Sequence, residues 1–133
     1  MAIDVVAALI CDNDTFLICQ RPMSKAMGLL WEFVGGKVEE GETKEEALIR
    51  ECYEELGIEI NVVSLFMEVV HEYPECTVNL SLYNAKINKG VPRLFEHNDY
   101  RWIKVTEIGQ FKFCQADITL LKQIQTLYLN NKS

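Results

Sequence analysis

The feature that most constrains this chain lies between Thr43 and Gly57, where a helix is marked at both ends. Thr43 is a natural N-cap, with Glu46 three residues on to complete a capping box. Gly57 supplies the left-handed residue that ends a helix, and apolar Ile58 follows it. The spacing predicts a helix over 44–56. At about 100° per residue, Leu48, Ile49, Cys52 and Leu56 form one apolar stripe, so the helix has to lie against another layer. Glu51, Glu54 and Glu55 stand at i, i+3 and i+4 on a neighbouring face, which Ala47 keeps open one turn earlier. Like charges at that spacing cost about 0.2–0.5 kcal/mol per pair. Such a patch is either a solvated acidic face or a set of oxygen ligands for a hard divalent cation, Mg²⁺ being usual where phosphates complete the shell. Arg50 can pair with Glu46 in the favourable i, i+4 order.

Strands are expected on both sides of this helix. Residues 3–11, IDVVAALIC, form a nearly continuous apolar run that reads as a buried strand. After the Asp12-Asn13-Asp14 turn, TFLICQ at 15–20 reads as the second arm of a hairpin. The segment 23–33, MSKAMGLLWEF, reads as a loop able to close over a ligand. Residues 58–71, rich in Val, Ile and Phe, read as a long strand bent near Ser64. Pro74 punctuates the turn that follows, and 76–87 alternates as the hairpin partner. A further strand is expected over 100–105 and a single helical turn over 106–109. Apolar residues at 116, 120, 121, 124, 127 and 128 predict a last helix over 115–129. This order gives an α+β domain, and 133 residues suffice for one such domain with a proper core.

Composition narrows the chemistry. The five cysteines (Cys11, Cys19, Cys52, Cys76 and Cys114) are odd in number and scattered, without a C-x-x-C pair. They point to neither a zinc site nor a disulfide framework, and read as small core residues. His71 and His97 are too isolated for a histidine metal cluster. No apolar run approaches the ~20 residues that span a bilayer. The N-terminus lacks a basic leader and a cleavage-type site, so a cytoplasmic enzyme without a membrane partner is expected. Net charge is −7, with no basic patch interleaved with aromatics. That argues against a nucleic-acid polymer and favours a small, metal-complexed phosphate compound. A monomer and a homodimer are both compatible with the sequence.

From Gly36 to Ile58 the chain fits G-x5-E-x7-R-E-U-x-E-E-x-G-U without a gap, U being apolar. The specified positions are Gly36, Glu42, Arg50, Glu51, Cys52, Glu54, Glu55, Gly57 and Ile58. This resembles the signature of the Nudix hydrolases. WEFVGGKVEEGE at 31–42, CQRP at 19–22, Glu96 six residues before Trp102, and FCQAD at 113–117 resemble the MutT branch of that family. The resemblance covers practically the whole chain, residues 1–133, as a single Nudix domain. It implies a mixed β-sheet sandwiched between α-helices (α/β/α). It also implies Mg²⁺- or Mn²⁺-dependent hydrolysis of a nucleoside 5′-triphosphate to the monophosphate and pyrophosphate, as in nucleotide-pool sanitation and DNA repair. On that resemblance Glu51, Glu54 and Glu55 hold metal, with the Gly35 carbonyl as a further ligand. Glu96 takes a second metal or a proton from water, unless it is a plain surface carboxylate. Arg50 and Glu42 brace the loop and helix, and Lys37 meets phosphate from the glycine-rich turn.

Arg21, Phe33, Leu82 and Asp117 bear on the base by the same resemblance. Phe33 walls the base or belongs to the core, and Leu82 lines the pocket. Asp117 stands where the MutT enzymes that clear 8-oxo-dGTP have asparagine. An amide both donates and accepts, whereas an ionised carboxylate only accepts. Facing a guanine-type O6, Asp117 has nothing to offer unless protonated; facing an exocyclic amine such as cytosine N4, it fits well. Alternatively Asp117 only caps the last helix. FCQADITLL also resembles CTP-type pyrophosphohydrolases. Oxidised purine triphosphates such as 8-oxo-dGTP are therefore expected substrates, with CTP, dCTP or 5-substituted cytidine triphosphates the rival class. A nucleotide-binding Nudix module without turnover is a further reading, and the intact signature carboxylates weigh against it.

Overall fold

The computed structural model describes residues 2–132. Its elements in chain order are β1 (Ala2–Asp12), β2 (Thr15–Gln20), β3 (Trp31–Glu32), β4 (Gly35–Lys37), α1 (Lys44–Leu56), β5 (Glu59–Glu72), β6 (Thr77–Lys89), β7 (Asp99–Ile103), a 3-10 helix (Val105–Gln110) and α2 (Gln115–Lys132). The apolar run at the start of the chain is the central strand. β1 pairs in parallel with β6 along one edge, and antiparallel with β4 and then β2 along the other. β2 carries β3 and β7, and β6 carries β5, all antiparallel, so the sheet is mixed.

β1 is apolar and buried through its middle, Val6 to Ile10, because both faces of the sheet are covered there. Val6, Ala8 and Ile10 pack on one side with Leu48, Cys52 and Leu56 of α1. Ala7 and Leu9 point to the other, where they meet Phe16, Ile18, Leu82 and the α2 residues Leu120, Leu121 and Ile124. Successive side chains alternate between the two cores with the period of 2 that a strand imposes. The expected α/β/α layering follows directly.

α1 spans the predicted residues, and its ends behave as their sequence demands. The Thr43 hydroxyl accepts from the Glu46 N–H at 3.1 Å, and the Glu46 carboxylate accepts from the Thr43 N–H at 2.8 Å. Gly57 adopts φ 67° and donates its N–H to the Tyr53 carbonyl. Because Glu46 is committed to the cap, it does not pair with Arg50 as the i, i+4 rule had suggested. The buried stripe is also rotated from expectation: Ala47, Leu48, Cys52 and Leu56 are buried, while Ile49 is 41 % exposed. The small Ala47 side chain lets α1 sit close on the sheet, and Ile49, one step further round, falls outside that contact.

The segment 23–33 is not loop to its end. Trp31–Glu32 pairs with β2, and Gly35–Lys37 pairs with β1. Strands of two or three residues are too short to show a period, so only their pairing partners reveal them. β5 contains the expected irregularity around Ser64, with register shifts between Val62 and Ser64 and between Leu65 and Met67.

Candidate active site

A cavity of about 460 Å³ opens where β1, β4, the start of α2 and the loops around residues 21–27 and 96–97 converge. Two adjacent glycines of β4 determine one wall. A Cβ on Gly35 would strike the Val6 carbonyl, so a side chain there would force β4 and β1 apart locally. On Gly36 a Cβ would fall 2.5–2.8 Å from the Glu51 carboxyl atoms. The missing side chain there leaves a cradle filled by a carboxylate of α1.

Arg50 organises that acidic face. Its Nε and Nη2 donate to the two oxygens of Glu42 at 2.7 and 3.0 Å, a bidentate fork that ties the acidic turn to the helix. Nη1 donates to Glu51 at 2.6 Å and to Glu54 at 2.9 Å, and Nη2 reaches the Lys37 carbonyl at 3.1 Å. The guanidinium, with the Glu39 N–H, holds the Glu42 carboxyl below its usual range. Glu55 has no such cation. Burial, and then its hydrogen bond with Glu51, hold the Glu55 carboxyl well above the ordinary range. The like charge of Glu51 acts in the same direction, so Glu55 is held toward its neutral form until a counter-ion is supplied.

The far end of the cavity is built differently. Asp117 is the third residue of α2, its N–H bonded to the Cys114 carbonyl at 3.0 Å, so it lies inside the first turn and does not cap it. It is 7 % exposed. Burial first, and then the charge of Glu32, push its carboxyl up to about 8, against the Phe33 N–H and Arg21 that favour the charged form. Glu32 holds Arg21 through one oxygen at 3.0 Å and lies 3.0 Å from His97 Nε2 through the other. Cys114 completes the group: the ligand atoms of Glu32, Cys114 and Asp117 all lie within 4.8 Å of one another. Burial, together with Glu32, pushes the Cys114 thiol up to about 12. Together these three side chains present hydrogen-bond donors and acceptors to a polar ring.

The model of the NUDIX domain family matches residues 5–123. The CTP pyrophosphohydrolase of Escherichia coli is 36 % identical over 125 residues, which cover 94 % of this chain and 93 % of that protein. The 8-oxo-dGTP diphosphatase of Proteus vulgaris is 42 % identical over 80 residues, 59 % of this chain and 71 % of its own. Among solved structures, the E. coli ORF135 protein superposes with a TM-score of 0.83 at 35 % identity, covering 96 % of this chain and 91 % of that one. The chain belongs to the NUDIX domain family. It is a MutT-like hydrolase.

Nudix hydrolases generally need a divalent metal ion. The residues present fit one. Donors on the α1 face are all oxygens, which suit a hard cation. The Gly36 cradle admits the Glu51 carboxylate beside the chain. Burial and the like charge of Glu51, which raise the Glu55 carboxyl, are pressures that a bound cation would relieve.

The positions marked in the sequence are not all gathered in the cavity. Gly35, Lys37, Glu55 and Glu96 line it at one end, and Arg21, Phe33 and Asp117 at the other. Glu51 lies behind Gly36, whereas Glu54 is half exposed and turned to the outer side of α1, held by Arg50. Glu96 sits at the mouth, 3.4 Å from Lys25 of the opposite loop. Phe33 is packed on Phe16 in the core and also lines the cavity. Leu82 does not line the pocket: it is wholly buried in the α2-side core, and Leu80, two residues earlier on the same face of β6, reaches the cavity instead. Glu32, His97 and Cys114 were not singled out. Glu32 lay in a segment read as loop, which hid the alternation of Trp31 inward, Glu32 to the cavity. His97 carried no motif beyond its place after Glu96.

Proposed function

We propose that this chain, as a single Nudix domain, converts a nucleoside 5′-triphosphate and water to the monophosphate and pyrophosphate. Oxidised purine triphosphates such as 8-oxo-dGTP are its preferred substrates. The observation that carries the base assignment is Asp117, buried in the cavity wall with its carboxyl pushed up to about 8. Near neutral pH that group is protonated, so it donates as well as accepts. It can therefore serve a guanine-type O6 as an amide would, and the objection raised by an ionised carboxylate falls away. Glu32, paired with the Arg21 guanidinium, offers lone pairs to the ring N–H groups beside it. Phe33 gives the base an apolar wall.

At the other end, Glu51, Glu54, Glu55 and the Gly35 carbonyl would hold Mg²⁺, with Mn²⁺ able to replace it. The ion, when bound, neutralises phosphate charge and lowers the pKa of an attacking water. Arg50 keeps Glu51 and Glu54 oriented and fastens the turn through Glu42. Lys37 supplies a point charge to the phosphates from β4. Glu96, once free of Lys25, accepts a proton from water at the cavity mouth or takes a second ion. Such an enzyme acts on small nucleotides in the cytoplasm and cleanses the nucleotide pool. Among the described residues no helix is long and apolar enough to cross a membrane.

A cytidine-type substrate is the second reading. Glu32 as an acceptor suits the N4 amine, and the relative that spans 94 % of this chain is named a CTP pyrophosphohydrolase. A Mg²⁺-dependent pyrophosphate-release panel over normal, oxidised and 5-substituted nucleoside triphosphates separates the two. The highest kcat/KM is expected for an oxidised purine. A cytidine optimum would move the assignment to the second reading, and binding without turnover would leave only a nucleotide-binding module.

A further inference from the structure

The chemistry described so far leaves His97 unused. It precedes β7, and its side chain is only 3 % exposed. Nε2 lies 3.0 Å from Glu32 Oε2 and 3.7 Å from Glu55 Oε1, and Nδ1 is buried with no partner. A buried ring that forgoes one hydrogen bond is held in place by what its other nitrogen does. Here that nitrogen stands between two carboxyl groups with opposite duties. Glu55 faces the phosphate end from α1, while Glu32 belongs to the base end beside Asp117, Cys114 and Arg21.

The two distances differ in kind. At 3.0 Å Nε2 is bonded to Glu32, whereas 3.7 Å from Glu55 is too long for a hydrogen bond. One nitrogen serves one carboxyl well at a time. A base whose N–H groups draw the Glu32 oxygens toward the cavity weakens the first contact and frees Nε2 for Glu55. A cavity end that leaves Glu32 on His97 keeps Glu55 without that partner. The structure holds the ring in the first arrangement, and a shift to the second would supply the two-state element that an energetic coupling between sites requires.

We propose that His97 is a positioning residue that couples recognition of the base to the placement of Glu55, so that the right base raises turnover as well as affinity. The proposal rests on the reading of this cavity as a nucleoside triphosphate site. It predicts that base discrimination appears in kcat and passes through one ring.

The test measures kcat for the best and the worst hydrolysed nucleoside triphosphates with Mg²⁺, in wild type, His97→Leu, His97→Gln, Glu32→Gln and the His97→Leu/Glu32→Gln double variant. The ratio of the two kcat values should fall by about tenfold in His97→Leu, the size of an ordinary coupling between sites. It should recover in His97→Gln, whose amide nitrogen can reach the Nε2 position. The double variant should lose no more than Glu32→Gln alone, since both changes cut the same connection. Should His97→Leu fail to fold, His97→Asn, too short to reach both carboxyls, takes its place with the same expected outcome. An equal loss of kcat on both substrates, an additive double variant, or a wild-type preference carried wholly by KM would overturn the coupling. A wild-type protein that turns over no nucleoside triphosphate would instead overturn the functional reading.

Discussion

The two ends of the cavity are both furnished with carboxyl groups, and at each end one of them, Glu55 or Asp117, is pushed toward its protonated form for a different reason. On α1, a single guanidinium reaches Glu51 and Glu54, and Glu55 leans on Glu51 for want of a cation of its own. The arrangement is poised for positive charge. Around Asp117 the nearest cation, Arg21, is bonded to Glu32, so burial prevails and the proton stays. On the function proposed above, the same functional group serves as an ion ligand at one end and as a hydrogen-bond donor at the other. Burial and the allotment of two arginines, Arg50 and Arg21, decide which.

The largest test of this contrast is Glu54→Gln. Removing one charge from the α1 face should lower kcat by about 10²- to 10³-fold, with the thermal midpoint little changed because the side chain is half exposed. Unchanged turnover would break the assignment of that face.

The paired glycines sharpen it next. Gly36→Ala would push against the end of the flexible Glu51 side chain, so kcat should fall by about tenfold or more while stability shifts by less than about 1 kcal/mol. Gly35→Ala meets the Val6 backbone carbonyl and should destabilise by about 1–3 kcal/mol. Urea unfolding beside steady-state kinetics distinguishes the two, and equal unfolding losses would show that Gly36 has no special relation to Glu51.

Asp117→Asn addresses the other end through pH. The folded-state carboxyl titrates at about 8, above the 3.8 of an unstructured aspartate, so the folded state holds the proton more tightly. Its contribution to stability is therefore complete below about pH 4 and is lost as the pH rises toward 8. Between pH 5 and 9, denaturant unfolding should show wild type losing on the order of 4 kcal/mol more than Asp117→Asn, at about 1.4 kcal/mol per pH unit up to pH 8. Base preference should match wild type near pH 6, where both side chains donate, and diverge at pH 9. Parallel stability curves would mean that Asp117 is ionised throughout, which would return the base assignment to a pure acceptor. The smallest effect is expected from Thr43→Ala, a loss of about 1 kcal/mol in unfolding free energy with kcat unchanged.

The signature helix was legible because its information is local. Thr43, Glu46 and Gly57 satisfy backbone groups within one turn of themselves, and the carboxyls of Glu51, Glu54 and Glu55 follow from the pitch of the helix. Even there, the sheet chose the buried face, taking Ala47 and releasing Ile49. The short strands β3 and β4 escaped notice because two or three residues carry no pattern, and with them went Glu32. Leu82 and Leu80 share one face of β6 and differ only in how far along it the cavity extends.

What the sequence determined by itself is the α+β succession, both ends of α1, and the signature that placed this chain with the Nudix hydrolases. Those depend on neighbours within a few residues, or on a fixed spacing that a string of letters preserves. The burial that raises the Asp117 carboxyl and the placing of His97 between Glu55 and Glu32 were decided by the tertiary structure alone. Glu32 and His97 are 65 residues apart in the chain and meet only because β3 and β7 both pair with β2. Burial and the approach of distant charges are properties of packed space, and they choose between the acceptor and the donor that one aspartate can be.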